Sequence, residues 1–267
     1  MNKKTVVITG GSSGIGKACA LTFAAHGFHV VISGRNEIRL FSVAEEIKKL
    51  KAEVLPVVAD ISKEEDCRRL TEETIKKTGR IDVLINNAGI SMRAAFSDTD
   101  LEVLKKVMNT NFWGTVYCTK YALPYLLKSK GTVAGISSIA GKAGLPGRTG
   151  YSASKFALEG FLESLRIENL NTGLHVLTVC PGFTESNIRN TALSKDGTPQ
   201  GESPREEEKM MKAEEVAERI YDAVIKRKRE IILTTEGKLT VLLKKFFPAW
   251  LDKMIYKNLK REPGTPF

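Results

Sequence analysis

Long hydrophobic runs are missing from this sequence of 267 residues. A helix needs about 20 apolar residues to span a bilayer, so no spanning segment is expected. Cysteine is scarce. The four present, Cys19, Cys67, Cys118 and Cys180, are widely spaced and fall in helix-like or strand-like segments. That usage suits reduced core thiols and argues against a disulfide framework or a metal site. The three histidines, His26, His29 and His175, read as helix-end or strand residues. The strand-like run Thr5–Thr9 begins so early that no signal peptide is expected, and the expected compartment is the cytoplasm. No internal repeat or interdomain linker is visible.

Anions are in deficit, with 31 Asp and Glu against 41 Lys and Arg, for a net charge of +10. The excess is uneven. Between Lys238 and Arg261 the seven cations Lys238, Lys244, Lys245, Lys253, Lys257, Lys260 and Arg261 face only Asp252, so +6 of the +10 lies in that basic segment. The body is therefore not a basic nucleic-acid binder, and no nucleic-acid partner is expected.

What is present first is strand, glycine turn, helix and strand. Thr5–Thr9 suits a strand buried on both faces. Gly10-Gly11-Ser12-Ser13-Gly14-Ile15-Gly16 follows, then a helical pattern ending near Gly27, then a strand over His29–Ser33. Glycines at this spacing permit a tight turn and close approach to a pyrophosphate, which the helix N-terminus then meets with free N–H groups. Dinucleotide sites place an Asp or Glu at the end of the second strand to hold the ribose 2′-hydroxyl. That acid is absent here: Gly34 and Arg35 stand in its place. A guanidinium without a competing carboxylate suits a 2′-phosphate, with Ser12 or Ser13 adding a hydroxyl. The expected cofactor is NADP(H).

Strands and helices alternate through the rest. Helices are expected over Glu37–Leu50, from an N-cap at Ser62 paired with Glu65 to about Thr78, over Leu101–Lys128, Gly150–Asn171 and Ala213–Lys226. Strands are expected over Val54–Ala59, Ile81–Ile85, Thr132–Ser137, Leu174–Cys180 and Glu230–Thr234. Alternation of this kind gives an α/β fold, a parallel sheet with helices on both faces. Residues 183–212 are polar and irregular, the pattern of a substrate lid loop. Asp60-Ile61 and Asn86-Asn87-Ala88-Gly89 each follow a strand, so they gather at the sheet edge where ligands bind.

Tyr151 and Lys155 lie four apart on an expected helix, hence on one face. A cation beside the phenol is expected to lower its pKa and make it a proton carrier. Ser137 and Ser138 close the fifth strand, and Asn109 and Asn111 sit inside an apolar helix where buried amides need partners.

Taken together, Thr9–Gly16, Asn86–Gly89, Asn111, Ser138, Tyr151-x-x-x-Lys155 and Pro181-Gly182 resemble the short-chain dehydrogenase/reductase family over about residues 5–235. The resemblance implies a Rossmann-type, doubly wound, seven-stranded sheet forming one domain over residues 1–235. It implies Tyr151 as general acid or base, Lys155 as its partner and holder of the nicotinamide ribose, and Ser138 as the group that polarises the substrate oxygen. Asn111 would hold a relay water. Gly10, Ser12, Ser13, Gly14, Ile15, Gly16, Arg35, Asp60, Ile61, Asn87, Ala88, Gly89, Pro181 and Gly182 would border the cofactor. Thr184 and Ser186 stand where the family has a small apolar residue and a threonine, and would serve the same end. No metal is implied, and a homodimer or homotetramer is.

Residues 236–267 extend the family core. Leu239, Leu242, Leu243, Phe246 and Phe247, then Trp250, Leu251, Met254, Ile255 and Leu259, recur at helical spacing on either side of Pro248, with lysines opposite. Two uses stay open for such amphipathic helices: packing on the domain or a partner subunit, and peripheral contact with a membrane surface. The tail, with Tyr151–Ala157 and Ser137–Gly141, is similar to the branch that includes hydroxysteroid dehydrogenases and 3-ketosphinganine reductases. That points to a small lipophilic carbonyl substrate. A 3-oxoacyl thioester is the alternative substrate, and an NADPH-sensing or scaffold protein without turnover the alternative of another class.

Overall fold

The short β-branched runs become strands, buried along their length at the centre of the sheet and partly exposed at its two edges. The computed structural model describes residues 3–185, 188–201 and 210–267. In chain order these form β1 (Thr5–Thr9), α1 (Gly14–Ala25), β2 (His29–Gly34), α2 (Glu37–Lys49), β3 (Val54–Val58), α3 (Glu64–Thr78), β4 (Val83–Asn86), α4 (Leu101–Met108) and α5 (Gly114–Ser129). Then come β5 (Thr132–Ile136), α6 (Thr149–Glu168), β6 (His175–Cys180), α7 (Ala213–Ile225), β7 (Glu230–Ile232), α8 (Thr235–Phe246) and α9 (Pro248–Leu259).

The seven strands run parallel in the order β3-β2-β1-β4-β5-β6-β7. Successive side chains point to opposite faces, so each strand feeds two cores. Val6 and Ile8 pack with Phe23, Leu40 and Ile220 beneath α1, α2 and α7. Val7 packs with Leu70, Leu126 and Leu158 beneath α3, α5 and α6. The order reverses between β1 and β4, and a ligand crevice opens at such a switch point.

Two local expectations are corrected. Lys63, not Ser62, is the N-cap of α3, and no side chain caps that end. Asp60 explains why: its Oδ1 accepts from the Ser62 hydroxyl at 2.8 Å and from the Ser62 N–H at 3.0 Å. The expected helix over Leu101–Lys128 is interrupted by a π-helical turn, Asn109–Trp113, between α4 and α5. Such turns occur chiefly where a helix must aim a functional side chain.

The tail packs only in part. Leu251 and Leu259 are buried, while Leu239, Leu242, Phe246, Phe247 and Trp250 are exposed. Its far end folds over the segment that precedes α6: Glu262 pairs with Arg148 at 2.9 Å, and Arg93 donates to the Pro263 carbonyl at 2.5 Å. Lys244 of α8 donates to the Lys142 carbonyl at 2.6 Å.

Candidate active site

The end of β1 is tied to the end of β4 at the switch point. The Thr9 hydroxyl accepts the Asn87 and Ala88 N–H groups at 3.0 and 3.1 Å, and the Asn87 amide donates to the Thr9 and Gly10 carbonyls at 3.0 and 3.2 Å. Gly10 turns the chain here with φ +66°, a left-handed conformation that favours glycine. A Cβ at Gly16 would lie 2.2 Å from the Gly10 carbonyl and 2.5 Å from the Asn87 amide. Gly16 thus packs the turn against the helix and does not line the cleft, unlike Gly10, Ser12, Ser13, Gly14 and Ile15.

That cleft has a volume of about 820 Å³ and follows the carboxyl edge of the sheet. Ser13, the N-cap of α1, makes no side-chain cap, so the amides of the first turn face the cleft uncapped. At one end the rim carries Arg35 and Arg39. Asn36 N-caps α2 by accepting from the Arg39 N–H at 2.9 Å, so Arg35 stands just before the helix and Arg39 in its first turn. Ser12 lies against Gly34, where a Cβ would be 3.1 Å from its hydroxyl. Asp60, Ile61, Ala88 and Gly89 line the adjoining wall. Cys67 donates to the Ile61 carbonyl at 3.3 Å from behind.

The other end holds Ser138, Tyr151 and Lys155. Lys155 is buried and donates to the Ile136 carbonyl at 2.8 Å. Burial pulls its pKa down to about 8, against the opposing influence of Cys180 and Glu159. Tyr151 corrects an expectation: its pKa is raised, because burial outweighs the Ser138 hydrogen bond and the Arg148 charge that act to lower it. The lysine ammonium lies 5.7 Å from the phenol ring centre and is itself held by a backbone carbonyl. The acidity of Tyr151 is thus set by Ser138 and Arg148 against burial.

The two serines separate cleanly. Ser138 faces Tyr151 and caps the turn Ile139–Gly141, its hydroxyl accepting the Ala140 N–H at 3.1 Å. Ser137 also borders the cleft, but its hydroxyl is taken by Glu159, to which it donates at 2.6 Å. Asn111 stands behind Gly89 with its amide fully engaged. It accepts from the Ile90 N–H at 2.8 Å and donates to the Ile90 carbonyl and the Ser154 hydroxyl, both at 2.9 Å. A Cβ on Gly89 would be 3.2 Å from the Asn111 oxygen and 3.6 Å from Lys155 Nζ, so glycine keeps these two close.

Pro181, Gly182 and Thr184 line the cleft beyond β6, and the Thr184 hydroxyl donates to the Gly182 carbonyl at 3.3 Å. Ser186 lies outside the described residues. Above Ser138 the walls are Ile90, Leu145, Phe183, Ile188, Leu193 and Pro199, joined by Lys106, Arg148 and Arg189. The described part of residues 183–212 is fastened to the body by backbone bonds between Leu193 and both Ser91 and Arg93, at 2.9 and 2.8 Å. The histidines stay outside the cleft: His175 sits in β6 against Thr132, His29 in β2 beside Glu53, and His26 stacks on Tyr221.

Thr9, Arg39 and Arg148 were not legible as site residues. Arg39 carried a usable signal, since it is a second arginine four residues after Arg35, in the first turn of the helix expected from Glu37. Arg148 joins the site through long-range packing: it lines the cleft, acts on the Tyr151 phenol and pairs with Glu262 of the tail.

Residues 4–197 match the profile of the family described as short chain dehydrogenase. Dehydrogenase/reductase SDR family member 7B of Xenopus laevis is 39% identical over 264 residues, covering 96% of this chain and 82% of that protein. 11-beta-hydroxysteroid dehydrogenase A of Arachis hypogaea is 36% identical over 274 residues, 98% of this chain and 77% of that protein. A solved alcohol dehydrogenase from Thermococcus sibiricus, complexed with 5-hydroxy-NADP, superposes with a TM-score of 0.77 over 86% of this chain and 96% of that one, at 24% identity. The last likeness concerns the fold.

Proposed function

The chain belongs to the short-chain dehydrogenase family, and from that premise we propose that it uses NADP(H) to reduce a lipophilic ketone. Membership makes it an oxidoreductase acting on CH–OH groups. The observation that carries the cofactor choice is the paired guanidinium rim, Arg35 and Arg39, around a Gly34 where an acid would repel a phosphate. Uncapped amides at the start of α1 fit a pyrophosphate, and the cleft volume fits a dinucleotide with a substrate above it. In the Thermococcus sibiricus enzyme an NADP derivative is the bound molecule.

The cofactor, when bound, supplies or accepts the hydride. This chain's residues do the rest. Ser138 donates to the substrate oxygen and holds it within reach of the Tyr151 phenol. Tyr151 gives that oxygen a proton as negative charge develops on it. Lys155 sets a positive charge 5.7 Å from the phenol ring, where it is placed to hold the nicotinamide ribose. Phe183, Ile188 and Leu193 exclude water and present an apolar wall.

That wall supports a lipophilic substrate, and one relative is named for hydroxysteroids. A 3-oxoacyl thioester competes because Lys106 and Arg189 also line the cleft. A sensor without turnover is disfavoured by the joint presence of Ser138, Tyr151 and Lys155 in one cleft. The deciding experiment follows NADPH oxidation with ketones of rising hydrophobicity and with 3-oxoacyl thioesters. A kcat/KM that climbs with apolar size supports this reading. Preference for the thioesters replaces it, and tight NADPH binding without oxidation supports the sensor.

Two surfaces bear on partners. Exposed Trp113 and Tyr125, with Tyr117 stacked on Trp113, support a homo-oligomer built on the α5 side. On the tail, exposed Leu239, Leu242, Phe246, Phe247 and Trp250 among lysines support peripheral contact with an anionic lipid surface of the cytoplasm. No helix among the described residues is long and apolar enough to cross a membrane.

A further inference from the structure

Glu159 lies on the same face of α6 as Tyr151 and Lys155, one turn beyond the lysine. It is mostly buried, with 13% of its side chain exposed. One oxygen accepts from the Ser137 hydroxyl at 2.6 Å and from the Cys180 thiol at 3.5 Å. The other pairs with Lys142 Nζ at 2.5 Å, and Lys142 also pairs with Glu230 on β7. Glu159, Cys180 and Glu230 are close enough to hold a cation, but the Lys142 ammonium already sits on both carboxylates.

Ser137 and Lys142 are the two ends of the short segment that carries Ser138. A single carboxylate therefore grips that segment at both ends. Between them Gly141 packs onto the same group: a Cβ there would lie 2.5 Å from the Ser137 hydroxyl and 2.6 Å from Glu159 Oε1. Nothing in the family resemblance or the cofactor reading uses Glu159.

We propose that Glu159 is the positioning residue that sets Ser138 against Tyr151 and places a negative charge one turn beyond Lys155. This rests on the catalytic reading above. The groups facing Lys155 are Tyr151 and Glu159 from α6, Cys180 from β6, the Ile136 carbonyl from β5 and the Asn111 amide behind Gly89. Those facing Glu159 are Lys142, Ser137 and Cys180, with Glu230 beyond Lys142. Glu159 is the carboxylate among the groups acting on Lys155, and it favours the ammonium against burial. Lys142, paired with Glu159 at 2.5 Å, brings a positive charge to that same carboxylate.

Two substitutions then move the same quantity in opposite directions. Glu159→Gln keeps an acceptor for Ser137 and removes the charge, so the alkaline limb of the kcat profile moves to lower pH. Lys142→Gln leaves the carboxylate unbalanced, so the limb moves to higher pH. Both loosen the Ser138 segment and lower kcat about tenfold, with KM for NADPH unchanged. Glu159→Asp restores the charge and returns the limb towards its wild-type position. A Lys155 titration followed by 13Cε NMR in lysine-labelled protein, assigned with Lys155→Arg, reads the same shifts without turnover. Opposite displacements of the Lys155 titration in the two variants support the proposal, even in a protein that oxidises no ketone tried. Loss of activity with both titrations and both limbs unmoved overturns it and leaves Glu159 a purely structural role.

Discussion

Glu262, near the end of the chain, holds Arg148 at 2.9 Å, and Arg148 immediately precedes the helix that carries Tyr151. The same carboxylate lies 3.8 Å from Arg93. All three side chains are largely buried, at 7%, 13% and 11% exposure for Glu262, Arg148 and Arg93. The tail is thus fastened to the rim of the cleft, although none of its residues lines the cleft itself.

Breaking one partner of such a group leaves buried charge uncompensated, at a cost of about 3 kcal/mol. Glu262→Ala is therefore expected to lower the thermal midpoint by several degrees. It is also expected to alter the pH dependence of turnover, because Arg148 acts on the Tyr151 phenol. Differential scanning calorimetry and a kcat profile check both. A midpoint within one degree of wild type would mean that the tail is not held here.

Cofactor choice is carried by the guanidinium rim. Removing a charge-assisted bond costs about 1.5–3 kcal/mol, or roughly 10- to 150-fold in affinity. Arg35→Ala is expected to weaken NADPH by that factor and to leave NADH nearly unchanged, with Arg39→Ala acting in the same direction. Fluorescence titration with both nucleotides decides, and equal losses for the two would remove the basis for NADP(H).

The pH dependence follows from Lys155, whose pKa is pulled from 10.5 down to about 8. As pH rises through about 8 the ammonium is lost, so reduction is expected to slow. The stability contribution has the opposite sign. Between about 8 and 10.5 the unfolded chain holds the proton that the folded chain has released, so stability rises with pH across that window. Unfolding of wild type against Lys155→Met from pH 7.5 to 9.5 tests this. The wild-type curve should gain relative to the variant as pH rises, and parallel curves would contradict it.

The tail offers a separate test. Vesicles of phosphatidylcholine containing phosphatidylglycerol should co-sediment the protein, and raised salt should release it. Replacing the exposed Phe246, Phe247 and Trp250 by serine should abolish binding while the fold persists, since these side chains are already in water. Binding that survives those substitutions would leave the face to another copy of the chain.

Most of the sheet was legible because most strands are short apolar runs rich in β-branched residues and alternate with helical segments. The catalytic end was legible too, since Tyr151 and Lys155 share a helix and helical spacing is written in the sequence. Long-range pairings were not. Glu159 reads as one more polar helix residue until Ser137, Lys142 and Glu230 arrive from other elements. The Tyr151 pKa was misjudged for the same reason: spacing reveals the lysine, but not the burial that raises the pKa. Ser62 failed as a cap because Asp60, two residues earlier, took its hydroxyl.

The central claim is that Tyr151 delivers the proton to a carbonyl held by Ser138. Tyr151→Phe removes the hydroxyl and leaves the ring and the cleft in place. NADPH oxidation with the best ketone of the panel should fall by about 100-fold or more, with NADPH affinity unchanged. Turnover within a few-fold of wild type, with the cofactor bound as before, would contradict it.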